Sequence, residues 1–451
     1  MSSLAWPIAA AMLGEVAIGL VDTKLVGGLG AGALGGVGIA NVLMFLSYAL
    51  VFGLMRGVKV RTAYAVGRGT PADGARYAIT GGVMGGAIGF AVFLAARDVT
   101  PVLGVLGVDR AVVPYARDFL AAITCGAPAT CALAALIQHR QGLGDARTPM
   151  VVGLAGNVVN AVLAWALIYG RLGLPALGVR GGGYGTAITE VLELAVMLAL
   201  LRRDSRRVTT QSLLSLRVAA REVCELGLPT GIQFGAEMLA FTTFTAILGG
   251  IGGAQIAAHQ VALATIRVSF LPGVAIGEAA SVLVGRALAT RKLAAADRIT
   301  GAALTVAILF MATCGLAFAT CGGVIARAFT PDADVARVVV HLLIVAAVFQ
   351  VLDAANIVLR GALRGAKDVR VPAYIGIGVI WTCVPGAAYF LGRVAGWGAL
   401  GGWLGFIGET VLATVLFGWR WRRGAWRARF GDSPSERDAR ESPDLARASV
   451  T

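Results

Sequence analysis

Several acidic side chains lie inside long apolar runs of this 451-residue chain. The clearest are Asp22, Glu237, Glu278 and Asp353. An ionised side chain at the centre of a bilayer costs about 3 kcal/mol or more unless it is neutralised, paired or hydrated. A carboxylate held there can bind a proton, Na+ or a cationic substrate, and competition between two of these for one site is the physical basis of antiport. The alternative for each acid is a structural hydrogen bond to a neighbouring polar side chain; for Asp22 the position favours a function.

Glu15 and Asp22 form a second pattern, because they are seven residues apart on one apolar run. Two turns of helix would place both on one face, about 10 Å apart, so both can point into the same interior. A functional and a structural role are equally open for Glu15. The only metal ion that we expect here is Na+, bound at Asp22. Further acids inside apolar runs are Glu190, Glu193 and Glu409.

Glu237 has aromatic neighbours at helical spacing, Phe234 at i−3 and Phe241 at i+4. A carboxylate flanked by rings suits a lipophilic cation, although the same rings could simply be apolar filler. We therefore take Glu237, Phe234, Phe241 and Glu278 as candidate substrate-binding residues. Arg267 also lies inside an apolar run and needs a partner or water. Glu237 and Glu278 are both possible partners, and the sequence does not choose between them.

The elements that must carry these residues are membrane-spanning helices. Hydrophobic residues make up 57% of the chain and charged residues only 14%, against about 25% charged in soluble domains. A span needs about 20 mostly apolar residues. On that length the sequence predicts an all-α integral membrane protein with twelve spans, near 4–28, 34–57, 77–96, 113–136, 149–169, 182–201, 223–250, 256–285, 299–321, 336–362, 371–391 and 398–419.

Positive charge predicts the orientation of these spans. Lys and Arg concentrate after the even-numbered runs, with Lys59 assigned to the loop after the second and Arg360 and Arg364 to the loop after the tenth. Loops 30–33 and 249–254 carry no charge. The positive-inside rule then places the even loops and both termini in the cytoplasm, in a multi-pass protein of the cell's inner membrane. This placement accounts for the net charge of +14 without a nucleic-acid partner.

Signatures of other function classes are missing from the sequence. No Walker-type GxxxxGK[ST] motif points to an ATP-driven pump. Three His and six Cys are scattered without metal-ligand spacing, and we find no nucleophile–base set that would make a membrane-embedded enzyme. We expect neither an enzyme nor an organic cofactor.

An internal repeat divides the chain. The segments 145–149, 66–68 and 79–81 return in the same order as 368–372, 284–286 and 299–301, each about 220 residues further on. Each unit holds six spans, so both halves insert the same way up, as in two-lobed transporters. The sequence predicts an N-terminal lobe over 1–201, a basic cytoplasmic loop over 202–221, a C-terminal lobe over 222–419 and a disordered cytoplasmic tail over 420–451.

An ordered set of motifs resembles one known family. Val-Asp-Thr at 21–23 with the glycine-rich 26–30, Ala-Ala-His-Gln at 257–260 followed by 270–272 and 280–285, Pro-Ala-Leu-Gly-Val at 175–179 and Leu-Arg-Gly-Ala-Leu-Arg-Gly-Ala-Lys-Asp at 359–368 resemble the multidrug and toxic compound extrusion (MATE) family. The resemblance covers nearly all of 6–420 and is closer to NorM-type members in the C-terminal lobe.

The resemblance implies a two-lobed antiporter, driven by Na+ or H+, that exports drugs or metabolites, often amphipathic cations, by rocking of its lobes. It places Asp22 on the cation-coupling acid of the N-terminal lobe, Glu237 and Asp353 on the C-lobe acids of NorM-type members, and Asn160 on a site residue of span five. Many relatives carry Asp four residues after that Asn, where this chain has Ala164. Glu15 is our candidate substitute for the lost acid. We expect a monomer among membrane lipids.

One rival transport function remains, a flippase of lipid-linked oligosaccharide or lipid with related two-lobed architecture. Such a protein would favour a cationic central cavity, whereas the buried charge read from this sequence is mainly acidic. A scaffold without transport activity would need no buried acids.

Overall fold

The computed structural model describes residues 1–105, 107–207 and 212–430, and this part of the chain is helical, without strands. Twelve helices are long and apolar enough to cross a membrane, which confirms the predicted all-α architecture. The helices are α1 Ser2–Gly27, α2 Ala31–Gly67, α3 Pro71–Ala95, α4 Thr100–Val105, α5 Val113–Ile123, α6 Ala127–Gly142, α7 Arg147–Tyr169, α8 Val179–Arg207, α9 Leu216–Gly249, α10 Gly253–Ala289, α11 Leu293–Phe329, α12 Ala333–Gly365, α13 Arg370–Ala387 and α14 Gly398–Arg423.

Helices dominate because backbone polar groups have no water to bond in hydrocarbon and must pair within each segment. The fourth span joins α5 to α6 through a 3₁₀ turn at Thr124–Gly126, and the eleventh continues from α13 as a π-helical segment, Ala388–Val394. Side chains cap two C-lobe helices: Ser215 accepts from the Val218 amide at the start of α9, and Asp332 accepts from two amides at the start of α12.

Several helices extend well beyond the predicted spans, and this changes where charges lie. The second span was predicted to end at 57, but α2 continues to Gly67. The tenth was predicted to end at 362, but α12 begins at Ala333 and runs to Gly365. Hydropathy marks only the lipid-facing part of a helix, so its charged continuation inside the protein is missed.

The two halves of the chain repeat one design. Helices α2 and α10 both have 37 residues and begin 222 positions apart, at Ala31 and Gly253. One apolar core, containing Met55 and Leu120, lies mainly within the first eight helices, and a second, containing Phe244 and Trp403, lies within the last six.

The lobes approach most closely along α2 and α9. A Cβ on Gly53 would lie 2.8 Å from the Gly231 amide nitrogen, and one on Gly57 would lie 2.5 Å from the Val223 carbonyl oxygen. Small residues let helix backbones meet at this distance. The contact is therefore backbone against backbone and leaves no room for larger side chains.

The start of the predicted tail needs correction. Helix α14 continues through Arg420 to Arg423, and a 3₁₀ turn covers Arg427–Arg429. The guanidinium of Arg420 binds both oxygens of Asp368, at 2.7 and 3.2 Å, while Trp421 and Trp426 stack with ring centroids 4.6 Å apart. These contacts pack the segment onto the C-terminal lobe. Residues 431–451 of the tail and 208–211 of the inter-lobe loop lie outside the described residues.

Candidate functional site

A buried ion cluster joins the two lobes at Glu278 of α10. Lys59 of α2 contacts one of its carboxylate oxygens directly, and the other lies 2.9 Å from Arg364 Nη1 and 3.3 Å from Arg56 Nη2. The side chains of Glu278, Lys59 and Arg364 are 6%, 1% and 9% exposed. Arg56 and Lys59 belong to the N-terminal lobe and the other two to the C-terminal lobe, so the cluster links the lobes.

This cluster was not foreseen, and the assignment of Lys59 and Arg364 to loops is wrong. Both are buried inside helices that outlast the apolar runs. The sequence does hold a signal: Arg56 and Lys59 are three residues apart, and Arg360 and Arg364 four apart, so each pair shares a helix face. A basic pair directly after an apolar run is also what a cytoplasmic loop looks like, which is why the signal was missed.

Further contacts between the lobes lie at the same end of the bundle, which we call the basic end and define by Arg61, Arg286 and Tyr64. Arg61 Nη1 lies 3.4 Å from Glu222 Oε2, Arg286 Nη2 donates to the Gly142 carbonyl at 3.1 Å, and the Tyr64 hydroxyl donates to the Gly365 carbonyl at 3.1 Å. Among residues 1–105, 107–207 and 212–430, every hydrogen bond and ion pair between the lobes is at the basic end or in the adjoining Glu278 cluster. The lobes are therefore fastened at this end.

Three C-lobe helices bring acids together beside that cluster. Glu237 of α9 accepts from Arg360 Nη1 at 2.6 Å and from Gln233 Nε2 at 2.9 Å. The Asn356 amide nitrogen lies 3.3 Å from both Asp353 Oδ1 and Glu409 Oε1, and so bridges α12 and α14. Arg360, assigned to a loop by the sequence, is in fact inside α12 and pairs with a predicted site acid.

The two rings beside Glu237 have other partners. The guanidinium of Arg56 lies over Phe234, 5.1 Å from the ring centroid, and Phe45 meets the same ring edge-on at 6.5 Å. Phe241 stacks on Phe406 of α14 at 5.7 Å. Phe234 is thus already next to a cation of the protein, whereas Phe241 packs against the C-lobe core.

In the N-terminal lobe, Asp22 and Asn160 hold polar atoms without partners. Asp22 is partly buried, and its Oδ1 is enclosed with no hydrogen bond from the described residues. Asn160 is 6% exposed; its amide nitrogen lies 3.2 Å from Thr186 Oγ1, while its Oδ1 is likewise unpartnered within the described chain. Enclosed oxygens without donors are suited to a cation or a proton.

Two further acids of the N-terminal lobe, Glu190 and Glu193, lie on α8. Glu190 accepts from the Thr130 hydroxyl, and Glu193 lies so close to Gly156 that any side chain at 156 would collide with its carboxylate. Glu15 is exposed on α1 and interacts electrostatically with Glu193. Glu15 is therefore within electrostatic range of an acid of α8, and no hydrogen bond in the described chain joins it to Asp22.

Neither proposed partner pairs with Arg267. Its side chain is exposed on α10 and makes no ion pair with any residue that the structure describes, because Glu237 and Glu278 are occupied by the cations named above. Of the alternatives that the sequence left open for Arg267, an ion pair with Glu237 or Glu278 is therefore not formed.

The chain was compared with known proteins. The family model described as MatE matches it twice, over residues 7–166 and 229–387, in keeping with the repeat. The chain is 32% identical over 429 residues to the "Probable multidrug resistance protein NorM" of Burkholderia pseudomallei (strain K96243), and the match covers 93% of this chain and 91% of that protein. It is 31% identical over 438 residues to the protein of the same name from Pseudomonas aeruginosa, covering 93% and 89%.

Solved structures share the fold. The eukaryotic MATE transporter AtDTX14 superposes with a TM-score of 0.85 at 19% identity, over 98% of this chain and 97% of that one. A multidrug resistance MATE family transporter in an outward-facing conformation gives 0.85 at 21% identity, over 94% and 95%.

Proposed function

Since the chain belongs to the MatE family, as a multidrug efflux transporter of the NorM type, we propose that it works as an antiporter that exchanges Na+ or H+ for small organic cations. The observation that carries the proposal is Asp22, whose enclosed carboxylate oxygen has no donor within the described chain. A carboxylate in this state is stabilised by any cation that binds to it, so an inward-moving ion and a cationic substrate compete for the same oxygen atoms.

Asp22, Asn160 and Glu15 form the proposed coupling set of the N-terminal lobe, and Glu237 and Asp353 that of the C-terminal lobe. The enclosed oxygens of Asp22 and Asn160 support the first set, and Glu15 is included for its place two turns before Asp22 on α1. Convergence of α9, α12 and α14 supports the second. Na+ at Asp22 is the one metal site in this proposal.

Substrates are proposed to be amphipathic cations that enter between the lobes beside Phe234 and Phe241. A cation reaching Glu237 or Glu278 must displace Arg360 or the Lys59 cluster, so binding and release of protein contacts are coupled there. One chain supplies both lobes, and we propose a monomer that works within membrane lipids.

Transport is proposed to follow from rocking of the lobes about the midplane. The contacts at the basic end close one side of the cleft between the lobes. The positive-inside rule puts that side, with both chain termini, on the cytoplasmic face of the inner membrane. Breaking those contacts opens the cleft to the cytoplasm, and re-forming them releases substrate outside.

The comparisons do not support the flippase alternative, since the named relatives are multidrug resistance proteins. Buried charge in the C-terminal lobe no longer counts against a flippase, because Arg56, Lys59, Arg360 and Arg364 balance the four acids there, whereas the acids inside the apolar runs of the N-terminal lobe have no such cations in the described chain. We propose no lipid-linked substrate.

The test is uptake of tetraphenylphosphonium into proteoliposomes under an imposed Na+ or pH gradient. D22N should lower gradient-driven uptake at least tenfold, whereas D118N should match wild type, since Asp118 is paired with Arg180 on the exposed surface. If D22N couples like wild type, the N-lobe assignment is wrong and the C-lobe acids carry coupling. If neither gradient moves any cation, the antiporter proposal fails.

A further inference from the structure

The guanidinium of Arg360 pairs directly with one acid of the C-lobe site, Glu237. Its Nη1 lies 2.6 Å from Glu237 Oε1, and Glu409 and Asp353 also attract it. The side chains of Arg360 and Glu237 are 23% and 12% exposed, so water screens the pair only in part. A cation of the protein therefore already sits where a transported cation would have to bind.

Hydrogen-bond donors of the protein already hold the acids of this site, and one acceptor, Asn356 Oδ1, is enclosed without a partner in the described chain. Glu237 Oε1 receives N–H groups from both Arg360 and Gln233, and the Asn356 amide nitrogen faces the carboxylates of Asp353 and Glu409. A hard metal cation needs several oxygen ligands at once. A proton needs a single lone pair on one carboxylate, and the existing donors leave such lone pairs free.

Charges around Arg360 are balanced before any ion enters. Glu237 from α9, Glu409 from α14, Asp353 from its own helix, Glu278 from α10 and Arg56 from α2 interact with it electrostatically. Lys59 from α2 and Arg364 from its own helix are the other two cations held by Glu278. With Arg360 itself this makes four acids and four bases. The acid of α11, Asp297, is held by Arg427 at 2.8 Å. Na+ would enter a site with no surplus negative charge and next to a fixed guanidinium.

Protonation of Glu237 places no separate cation beside Arg360, whereas Na+ binding does. A proton on Glu237 makes that side chain neutral, and its ion pair with Arg360 is lost. The guanidinium is then left with Asp353 and Glu409, two carboxylates that share only the Asn356 amide. With Na+ on Glu237, by contrast, the metal ion and the guanidinium would remain side by side as like charges.

We propose that Arg360 makes the C-lobe site selective for protons by excluding Na+, so that Glu237 exchanges H+ against its bond to Arg360. The inference rests on the proposed antiport function and adds the identity of the ion at this lobe. Arg360 is a specificity residue here and does not itself carry the transported ion.

The test is equilibrium binding of ²²Na+ to the purified full-length protein in nanodiscs, with every variant in a D22N background so that the N-lobe acid does not contribute. The D22N protein should bind the same amount of Na+ with and without the additional E237Q substitution. R360Q, which keeps the side chain's polarity without its charge, should raise saturable Na+ binding at least tenfold, and adding E237Q should abolish the gain. R360K keeps the positive charge and should bind no Na+. R337Q, at the exposed end of the same helix, should also leave binding unchanged.

Two results would overturn the inference. One is Na+ binding to the D22N protein that E237Q abolishes, which shows that the resident guanidinium does not exclude Na+; this measurement requires no Arg360 variant to fold. The other is a folded R360Q protein, with a normal elution volume and melting curve, that still fails to bind Na+. Since binding is read without transport, an absence of gradient-driven uptake by the wild type would refute the antiporter proposal and is distinguishable from both of these results.

Discussion

At the residue scale, Glu278 pairs with more cations than any other acid among the residues that the structure describes. One carboxylate serves three cations, two from the opposite lobe. Buried ion pairs gain little net stability when formed, but removal of one partner leaves a buried charge without compensation. The acid and each of its cations are therefore not equivalent targets for mutation.

We predict that E278Q destabilises the protein much more than K59M. E278Q leaves three cations facing a neutral amide, and a cost of about 3–5 kcal/mol is typical of a broken buried pair. K59M leaves Glu278 with Arg56 and Arg364 and also removes a buried ammonium, so its cost should be smaller. The measurement is the melting temperature of the purified protein in detergent.

D334N is the matched control, because Asp334 lies on the exposed surface with Arg337 at 2.8 Å. Exposed pairs of this kind contribute about 0–1 kcal/mol. Equal losses for E278Q and K59M would show that Glu278 and Lys59 act as a single pair and that Arg56 and Arg364 do not compensate the acid when Lys59 is removed.

At the scale of elements, the contact between α2 and α9 depends on glycines. Gly57 lies against the Val223 carbonyl, and a Cβ on Gly227 would lie 3.0 Å from Leu54 Cα. We predict that G57V and G227V keep these helices apart, so that the basic end stays open and transport falls at least tenfold.

The measurement is uptake in proteoliposomes together with labelling of a cysteine placed at position 63 in a protein lacking its native cysteines, since Ala63 is buried at the basic end and an open basic end exposes it. G235V is the control on the same helix, because a Cβ there meets nothing within 4 Å. Normal transport by G57V or G227V would mean that the close approach is not required for closing.

At the scale of the whole molecule, rocking requires the lobes to separate at the basic end. A Cβ on Gly285 of α10 would lie 3.6 Å from the Ala63 Cβ of α2, within the usual disulfide range of about 3.5–4.5 Å. We predict that A63C/G285C, in a protein lacking its six native cysteines, crosslinks on oxidation and stops uptake, and that a reductant restores it. The measurement is uptake before oxidation, after it and after reduction.

The single variants A63C and G285C should transport equally well under both conditions. Full transport by the crosslinked protein would exclude separation of the lobes at this end and, with it, the rocking mechanism.

The amino-acid sequence by itself determined the class, the number of spans, the repeat and the family. These follow from local properties: a run of apolar residues is a span whatever packs against it, and a repeated motif needs no partner to be seen. The comparisons and the helices confirm them. Asp22, Glu237 and Asp353 stay predictions as site residues; the sequence singles them out because an acid in an apolar run is conspicuous on its own.

Only the tertiary structure decided which charges meet. Lys59 and Glu278 are 219 residues apart, and Arg360 and Glu237 are 123 apart. Whether they touch depends on the tilt and approach of helices from different parts of the chain, and the hydropathy of any one segment contains no information on that. A basic residue after an apolar run looks the same whether it enters water or continues into a buried helix. Its partner on another helix makes the difference, and that partner is fixed by packing.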